Sequence, residues 1–218
     1  MNIVYCFDNN EEYKAMAEKS AESVLKYNPT AKIHYITEDK ENELTEFTTA
    51  LCGFPHVSRA CFLRFLIPKY LSKYDRALYL DCDTICKGDI SELYNTDFED
   101  NYIIGVQGQK YSKTQAKELG IEFYINSGVL LFNIPLMNQE QYLKQIKLLW
   151  RESLGKPTIY SADETIINYV FHKKIKLASE KYNYCCNRDY EERTLNPEDV
   201  IIWHNTGRSK ECLKTITY

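Results

Sequence analysis

Apolar and polar positions alternate between two rhythms along this chain. Five apolar residues, Ile3-Val4-Tyr5-Cys6-Phe7, open it and predict a buried strand that ends at Asp8-Asn9-Asn10. From Glu11 to Tyr27 the apolar positions Met16, Ala17, Ala21, Val24 and Leu25 recur three and four apart, which predicts a helix stopped by Asn28-Pro29. Asp8 is a candidate cap for that helix, with Glu11 three residues on. Lys32 to Thr37 reads as a second strand, and the acidic stretch Glu38 to Glu46 as loop or short exposed helix.

The same two rhythms continue. His56 to Tyr70 predicts a helix with Phe62, Phe65 and Leu66 inward, and Ala77 to Leu80 a strand ending at Asp81-Cys82-Asp83. Tyr102 to Val106 is a further strand, and Phe123 to Phe132 holds one or two more. Met137 to Ser153 predicts one helix with Ile146, Leu149 and Trp150 toward the core. Ser161-Ala162-Asp163-Glu164 has the form of a capping box opening a helix to about Phe171. Ile175 to Leu177 and Val200 to Trp203 close the series as short strands. Strands alternating with helices predict an α/β class with a mostly parallel central sheet. No repeat, low-complexity segment or linker divides the 218 residues, so a single domain over 1–218 is expected.

Composition narrows the function. Charged residues are 27% and apolar residues 44%, which excludes a disordered or fibrous chain. The net charge is −4, against a nucleic-acid partner, because phosphate binding needs a basic face. No apolar run approaches the roughly 20 residues of a membrane span. Met1 to Asn10 lacks the basic and long apolar regions of a signal peptide, so the expected location is cytoplasmic, or peripheral at a membrane. The eight cysteines are irregularly spaced and form no Cys-x-x-Cys pair, so buried thiols are expected rather than disulfides or a zinc site. The 18 tyrosines and nine phenylalanines suit sugar rings as well as a core, and the core is the simpler use.

Four stretches carry chemistry. Asp81 and Asp83 lie just past an apolar strand, at the end that faces the ligand crevice in open α/β sheets. Two carboxylates held together repel unless a cation joins them, and a hard divalent ion with oxygen ligands, Mn²⁺ or Mg²⁺, is the natural partner. Two solvated acids at a turn is the alternative. His204 follows another apolar strand, with Gly207 and Lys210 at steps of three: an imidazole for a metal, a glycine that lets backbone approach an oxyanion, and a point charge for phosphate. Asn126-Ser127-Gly128 interrupts the run Tyr124 to Phe132 with small polar residues, which suits a ligand contact or a β-bulge. Asp163-Glu164 offers two more carboxylates, of which Glu164 also sits where a capping box would use it.

Taken in order, Leu-Tyr-Leu-Asp-x-Asp, Asn-Ser-Gly-Val, Ala-Asp-Glu with Ile-Ile-Asn, and His-x-x-Gly-x-x-Lys resemble glycosyltransferase family 8 from Met1 to about Lys210. The resemblance implies a Rossmann-like nucleotide-sugar-binding domain of the A type. It implies transfer of a hexosyl group, galactosyl or glucosyl-like, from a UDP-sugar to a glycan or glycolipid acceptor with retention. Residue by residue, it implies that Asp81, Asp83 and His204 bind the metal, Asp83 most directly and Asp81 also at the ribose. Gly207 and Lys210 would hold the diphosphate, Asp8 and Asn10 the uracil, and Arg64 and Ser127 would lie at the donor. Asn126 and Asp163 would bond the sugar. Glu164 falls where many members carry Gln, on the sugar face opposite the leaving group. Members often have Tyr directly after the residue matching Asn10; here it is Glu11, and Tyr13 is the nearest substitute. A haloacid-dehalogenase-type phosphatase and an inactive nucleotide-sugar-binding module are the alternatives that share these residues.

Overall fold

The computed structural model describes residues 1–45, 47, 58–108, 110–153, 162–186 and 195–206. In chain order the elements are β1 (Asn2–Phe7), α1 (Glu11–Tyr27), β2 (Lys32–Thr37), a 3₁₀ segment Glu38–Leu44, a second 3₁₀ segment Arg59–Leu66 that runs into α2 (Ile67–Tyr70), β3 (Arg76–Leu80), β4 (Thr84–Cys86) and α3 (Ser91–Tyr94). Then come β5 (Ile103–Gln107), α4 (Lys110–Leu119), β6 (Ile125–Asn133), α5 (Ile134–Gln139), α6 (Tyr142–Ser153), α7 (Ala162–Phe171), β7 (Ile175–Ala178), β8 (Tyr184–Cys185) and β9 (Ile202–His204).

A six-stranded sheet in the order β2-β1-β3-β6-β5-β7 forms the centre. β1 pairs in parallel with β2 and β3, and β5 with β7, while β6 runs antiparallel to both β3 and β5. Five of the six strands therefore point the same way, as a mostly parallel sheet requires. Both faces are covered, which is why the strands read as continuous apolar runs. Val4, Tyr79, Leu130 and Phe132 meet Phe62, Phe65, Trp150 and Ile166 on one face. Ile3, Tyr5, Leu78 and Leu131 meet Ala17, Val24 and Leu93 on the other.

Helix α1 begins and ends where predicted, but its cap differs. Asn10 Oδ1 accepts the Glu12 N–H at 2.8 Å. Asp8 Oδ1 instead accepts the Asn10 N–H at 3.2 Å, so Asp8 stays at the mouth of the crevice rather than capping. The helix predicted over His56 to Tyr70 is a tighter 3₁₀ turn followed by one α turn, and His56 lies outside the described residues. Pro68 explains the change: in an α-helix its ring would collide with the Arg64 carbonyl and it has no N–H to offer. The helix predicted over Met137 to Ser153 is two helices, starting earlier at Ile134 and broken at Gln141, whose φ is +52°. Met137 and the core positions Tyr142, Ile146 and Trp150 are all buried. The last three are spaced by four, but Met137 is five before Tyr142, and the break absorbs that one-residue slip of phase.

A second sheet, in the order β4-β9-β8, decides the site. β9 pairs antiparallel with β4, setting His204 opposite Thr84, and parallel with β8, setting His204 opposite Cys185. Asn205 N–H extends the β4 pairing to the Asp83 carbonyl at 3.0 Å. The last described strand, predicted over Val200 to Trp203, is thus displaced to end on His204, beside the turn after β3. The six described cysteines are thiols, five of them buried, as expected; Cys52 and Cys212 lie outside the described residues.

Candidate active site and its metal-ligating cluster

β3 stops at Leu80, and Thr84 N–H returns to the Asp81 carbonyl at 3.2 Å. This turn, rather than strand alternation, aims Asp81 and Asp83 at a common point. His204 Nε2 lies 3.3 Å from Asp81 Oδ2 and 3.3 Å from Asp83 Oδ1. Among the described residues these three side chains are the one group of acidic, His and Cys residues whose ligand atoms all fall within 4.8 Å of one another. Burial disfavours charge on the His204 imidazole, yet Asp83 and the hydrogen bonds to Asp81 and Asp83 carry its pKa well above the ordinary value. The two carboxylates suit a hard divalent ion such as Mn²⁺ or Mg²⁺, and the imidazole is a borderline donor that a transition metal such as Mn²⁺ takes more readily than Mg²⁺, so the residues fit a divalent cation, Mn²⁺ above all.

Gly128 is part of that fit. Its carbonyl accepts the Asp81 N–H at 2.8 Å. A Cβ there would lie 2.1 Å from His204 Cε1 and 2.8 Å from Asp81 Oδ2, so only glycine lets the ring and the acid approach this closely. The Asn126-Ser127-Gly128 stretch lies inside β6 and is also bulged: opposite it, the β5 register jumps from Leu130 at Gly105 to Asn126 at Val106.

Helix α7 stands over this bulge. Asn168, fully buried, fixes it there by acting as a strand partner: its Oδ1 accepts the Ile125 N–H at 2.7 Å and its Nδ2 donates to the Ile125 carbonyl at 2.8 Å. Asp163 and Glu164, one turn earlier, then face β6. Glu164 Oε2 accepts from Asn126 Nδ2 at 2.9 Å and from the Ser127 N–H at 3.1 Å. Ser127 Oγ donates to Asp163 Oδ2 at 3.0 Å. Ser161, the first residue of the predicted capping box, lies outside the described residues.

Arg64 joins the two halves. Its guanidinium bonds Asp163 Oδ2 at 3.0 Å, Asp81 Oδ1 at 3.1 Å and the Ser127 carbonyl at 2.7 Å, and lies 4.5 Å over the Tyr79 ring. The Tyr79 hydroxyl donates to Asp81 as well. A cleft of about 230 Å³ opens beside this network, lined among others by Asp8, Tyr13, Arg64, Asp81 and Asp83. Tyr13 reaches it from α1, and the Asn10 oxygen caps that helix.

The sequence-predicted residues Arg64, Asp81, Asp83, Asn126, Ser127, Asp163, Glu164 and His204 thus form one contiguous constellation, with Asp8 at its cleft. Gly207 and Lys210 lie outside the described residues. Asn168 and Tyr79 are not among the predicted site residues; each is an unremarkable residue type whose role depends on topology. The phosphatase alternative needs a free aspartate nucleophile, and Asp81 is instead held by Arg64, Tyr79 and His204. Among the described residues no helix is long and apolar enough to cross a membrane.

The chain is 31% identical over 163 residues to the lipopolysaccharide 1,3-galactosyltransferase of Salmonella typhimurium, covering 69% of this chain and 48% of that protein. It is 34% identical over 166 residues to a lipopolysaccharide 1,2-glucosyltransferase of Escherichia coli, covering 68% and 48%. The chain thus spans about half the length of these curated relatives. The galactosyltransferase LgtC, solved with donor and acceptor sugar analogs, superposes with a TM-score of 0.75 over 95% of this chain and 87% of that one, at 22% identity. The apo form of the glycosyltransferase GlyE of Streptococcus pneumoniae does so with a TM-score of 0.71 over 95% and 54%, at 21% identity. At such identities the likeness speaks for the fold, which is the glycosyltransferase A type. The sequence profile of Glycosyl transferase family 8 matches residues 2–211, a span that runs from β1 through β9 and takes in every residue of the constellation, and the chain accordingly belongs to that family.

Proposed function

We propose that this chain transfers a hexosyl group, galactosyl or glucosyl-like, from a UDP-sugar to a glycan or glycolipid acceptor, with retention at the anomeric carbon and with dependence on Mn²⁺ or Mg²⁺. The observation that carries the reading is the convergence of Asp81, Asp83 and His204 beside the cleft lined by Asp8 and Tyr13. The family relation and the names of its relatives support the donor and acceptor classes.

The hard step is loss of a diphosphate from the anomeric carbon. A divalent cation bound by Asp81, Asp83 and His204 supplies Lewis-acid stabilisation to the negative charge that builds on the leaving oxygen. Gly207 and Lys210 are assigned to the same diphosphate, where a lysine in a partly dry cleft gains electrostatic strength. Asp8 is assigned to the uracil and Tyr13 to the base face in place of an aromatic at Glu11. Asn126 and Asp163 are assigned to the sugar hydroxyls, with Ser127 and Arg64 holding them in place.

Retention is assigned to front-face attack. The acceptor oxygen bonds the anomeric carbon on the side from which the diphosphate departs, and the acceptor proton passes to the departing phosphate oxygen. Glu164 favours this route over a covalent one: its Oε2 already accepts two N–H bonds, from Asn126 and Ser127, which suits a fixed negative charge near an oxocarbenium-like centre more than a nucleophile. Glu164→Gln is expected to keep measurable transfer, no more than about a hundredfold slower. Complete inactivity with unchanged donor affinity and melting temperature would move the assignment to the covalent route.

A thermal-shift screen of nucleotide sugars with and without Mn²⁺ tests the whole reading. A donor at 100 times its Kd adds about 2.7 kcal/mol, or about 5–10 °C for a chain of this size. UDP-galactose or UDP-glucose is expected to give such a shift in Mn²⁺ and a much smaller one without it. No shift from any nucleotide sugar in Mn²⁺ would overturn the proposal.

A further inference from the structure

One buried amide links the two halves of the constellation. Asn183, 3% exposed, sits between the 3₁₀ turn Glu180–Tyr182 and β8. Its Oδ1 lies 2.8 Å from His204 Nδ1 and its Nδ2 lies 2.8 Å from Asn126 Oδ1. Asn126 Nδ2 in turn reaches Glu164 Oε2.

The polarity of this chain of bonds follows from its far end. The Gly128 backbone N–H, 3.0 Å from the Asn126 side chain, can only donate, so the atom it meets is the Asn126 oxygen. The Asn126 nitrogen then faces the Glu164 carboxylate, which accepts. An oxygen at Asn126 requires that Asn183 present its NH₂ group there. Asn183 must therefore turn its own oxygen to His204, and an oxygen at 2.8 Å requires a proton on Nδ1. Nε2, facing Asp81 and Asp83, is left as the nitrogen whose lone pair a cation takes. A backbone N–H in β6 thus dictates, through two amides, which ring nitrogen of a residue 76 positions later is available.

We infer that Asn183 is a positioning residue that sets the tautomer and ring orientation of His204 for the cation and ties it to Asn126 and Glu164. The inference rests on the cation reading of Asp81, Asp83 and His204. Partners of this kind behind a ligating imidazole alter metal affinity by about 10- to 100-fold when removed.

Two substitutions separate positioning from bulk structure. Asn183→Leu keeps the branched shape and loses the bonds to Asn126 and His204. Asn183→Asp keeps an oxygen for the Nδ1 proton and loses the donor to Asn126. Mn²⁺ affinity, measured by electron paramagnetic resonance of the free ion on the intact chain without donor, is expected to fall about 10- to 100-fold in Asn183→Leu and to stay within about threefold in Asn183→Asp. Equal weakening in both, or none in a folded Asn183→Leu, overturns the inference. An unfolded Asn183→Leu leaves the decision to Asn183→Asp and to the wild type, where ¹⁵N NMR of histidine-labelled protein loaded with Mg²⁺ reads Nδ1 itself, assigned by comparison with His204→Gln. A protonated Nδ1 beside an unprotonated Nε2 supports the inference; a bare Nδ1, or protons on both nitrogens, overturns it. Absence of Mn²⁺ binding by the wild type would instead strike at the cation reading, which distinguishes the two failures.

Discussion

Asp83→Asn is expected to slow sugar transfer at least about a hundredfold in Mn²⁺ while moving the melting temperature by no more than about 3 °C. The two halves of that expectation have different origins. Asp83 is 30% exposed, and its ion-pair partner is the His204 ring at 3.3 Å. The His204 ring is buried, but it keeps Asp81 at 3.3 Å when Asp83 is lost, so removing this partly exposed acid costs about 1 kcal/mol, and the Asp83 carbonyl keeps its bond from the Asn205 N–H. The fold therefore has little to lose. The cation site has much to lose, because one of its two carboxylate charges disappears from a set of three donors. Without that charge the site holds its cation, and so the diphosphate, less firmly. Radiolabelled hexose transfer across a Mn²⁺ titration, paired with a thermal melt, checks both halves. Wild-type turnover at ordinary Mn²⁺ concentration would remove Asp83 from the metal site, and a melt lowered by ten degrees would show that Asp83 carries the fold instead.

The residues most legible in the sequence were those whose chemistry is out of place in their pattern. Two acids and a histidine at the ends of apolar strands, and a polar triplet inside an apolar run, stand out because burying such groups is costly without partners. The residues that complete the site do not stand out. Asn183 and Asn168 are ordinary amides until the topology brings a histidine or a strand backbone against them. Strand direction is equally hidden, since β6 has the same apolar pattern whichever way it runs. β4 and β8, of three and two residues, are too short to show any period and exist because β9 lies between them. α4 is mostly polar, so its apolar stripe gave no signal. The slip at Gln141 was visible in principle, as a spacing of five between buried Met137 and Tyr142, but only once both are known to be core.

Arg64→Leu is expected to produce the largest loss of stability, about 3–5 kcal/mol at pH 7. Arg64 is 6% exposed, and burial alone would lower its pKa. Asp163, Tyr79 and Asp81 outweigh that and carry it well above the ordinary value. The guanidinium serves two carboxyls with opposite outcomes. Burial pushes Asp81 up, but Arg64, then His204 and Tyr79, bring it well below the ordinary range. Burial also pushes Asp163 up, and there Arg64 offsets it only in part, so Asp163 stays above the ordinary value. Leucine would leave the buried Asp163 and the partly buried Asp81 without their cation, and the Cys61 and Ser127 carbonyls without their bonds from Arg64. The sign of the pH dependence follows from Asp81. Its depressed folded pKa means that its contribution is present above the unfolded value near 4 and is lost as pH falls toward the folded one. Without Arg64 both acids would favour protonation, so the deficit of the variant should be greatest at neutral pH and shrink toward pH 4. Urea unfolding at pH 7 and at pH 4.5 measures this directly. Arg64→Lys should fall between, since one ammonium retains the charge but cannot span Asp81, Asp163 and two carbonyls at once. A loss below about 1 kcal/mol for Arg64→Leu at pH 7 would mean that the two acids do not depend on it.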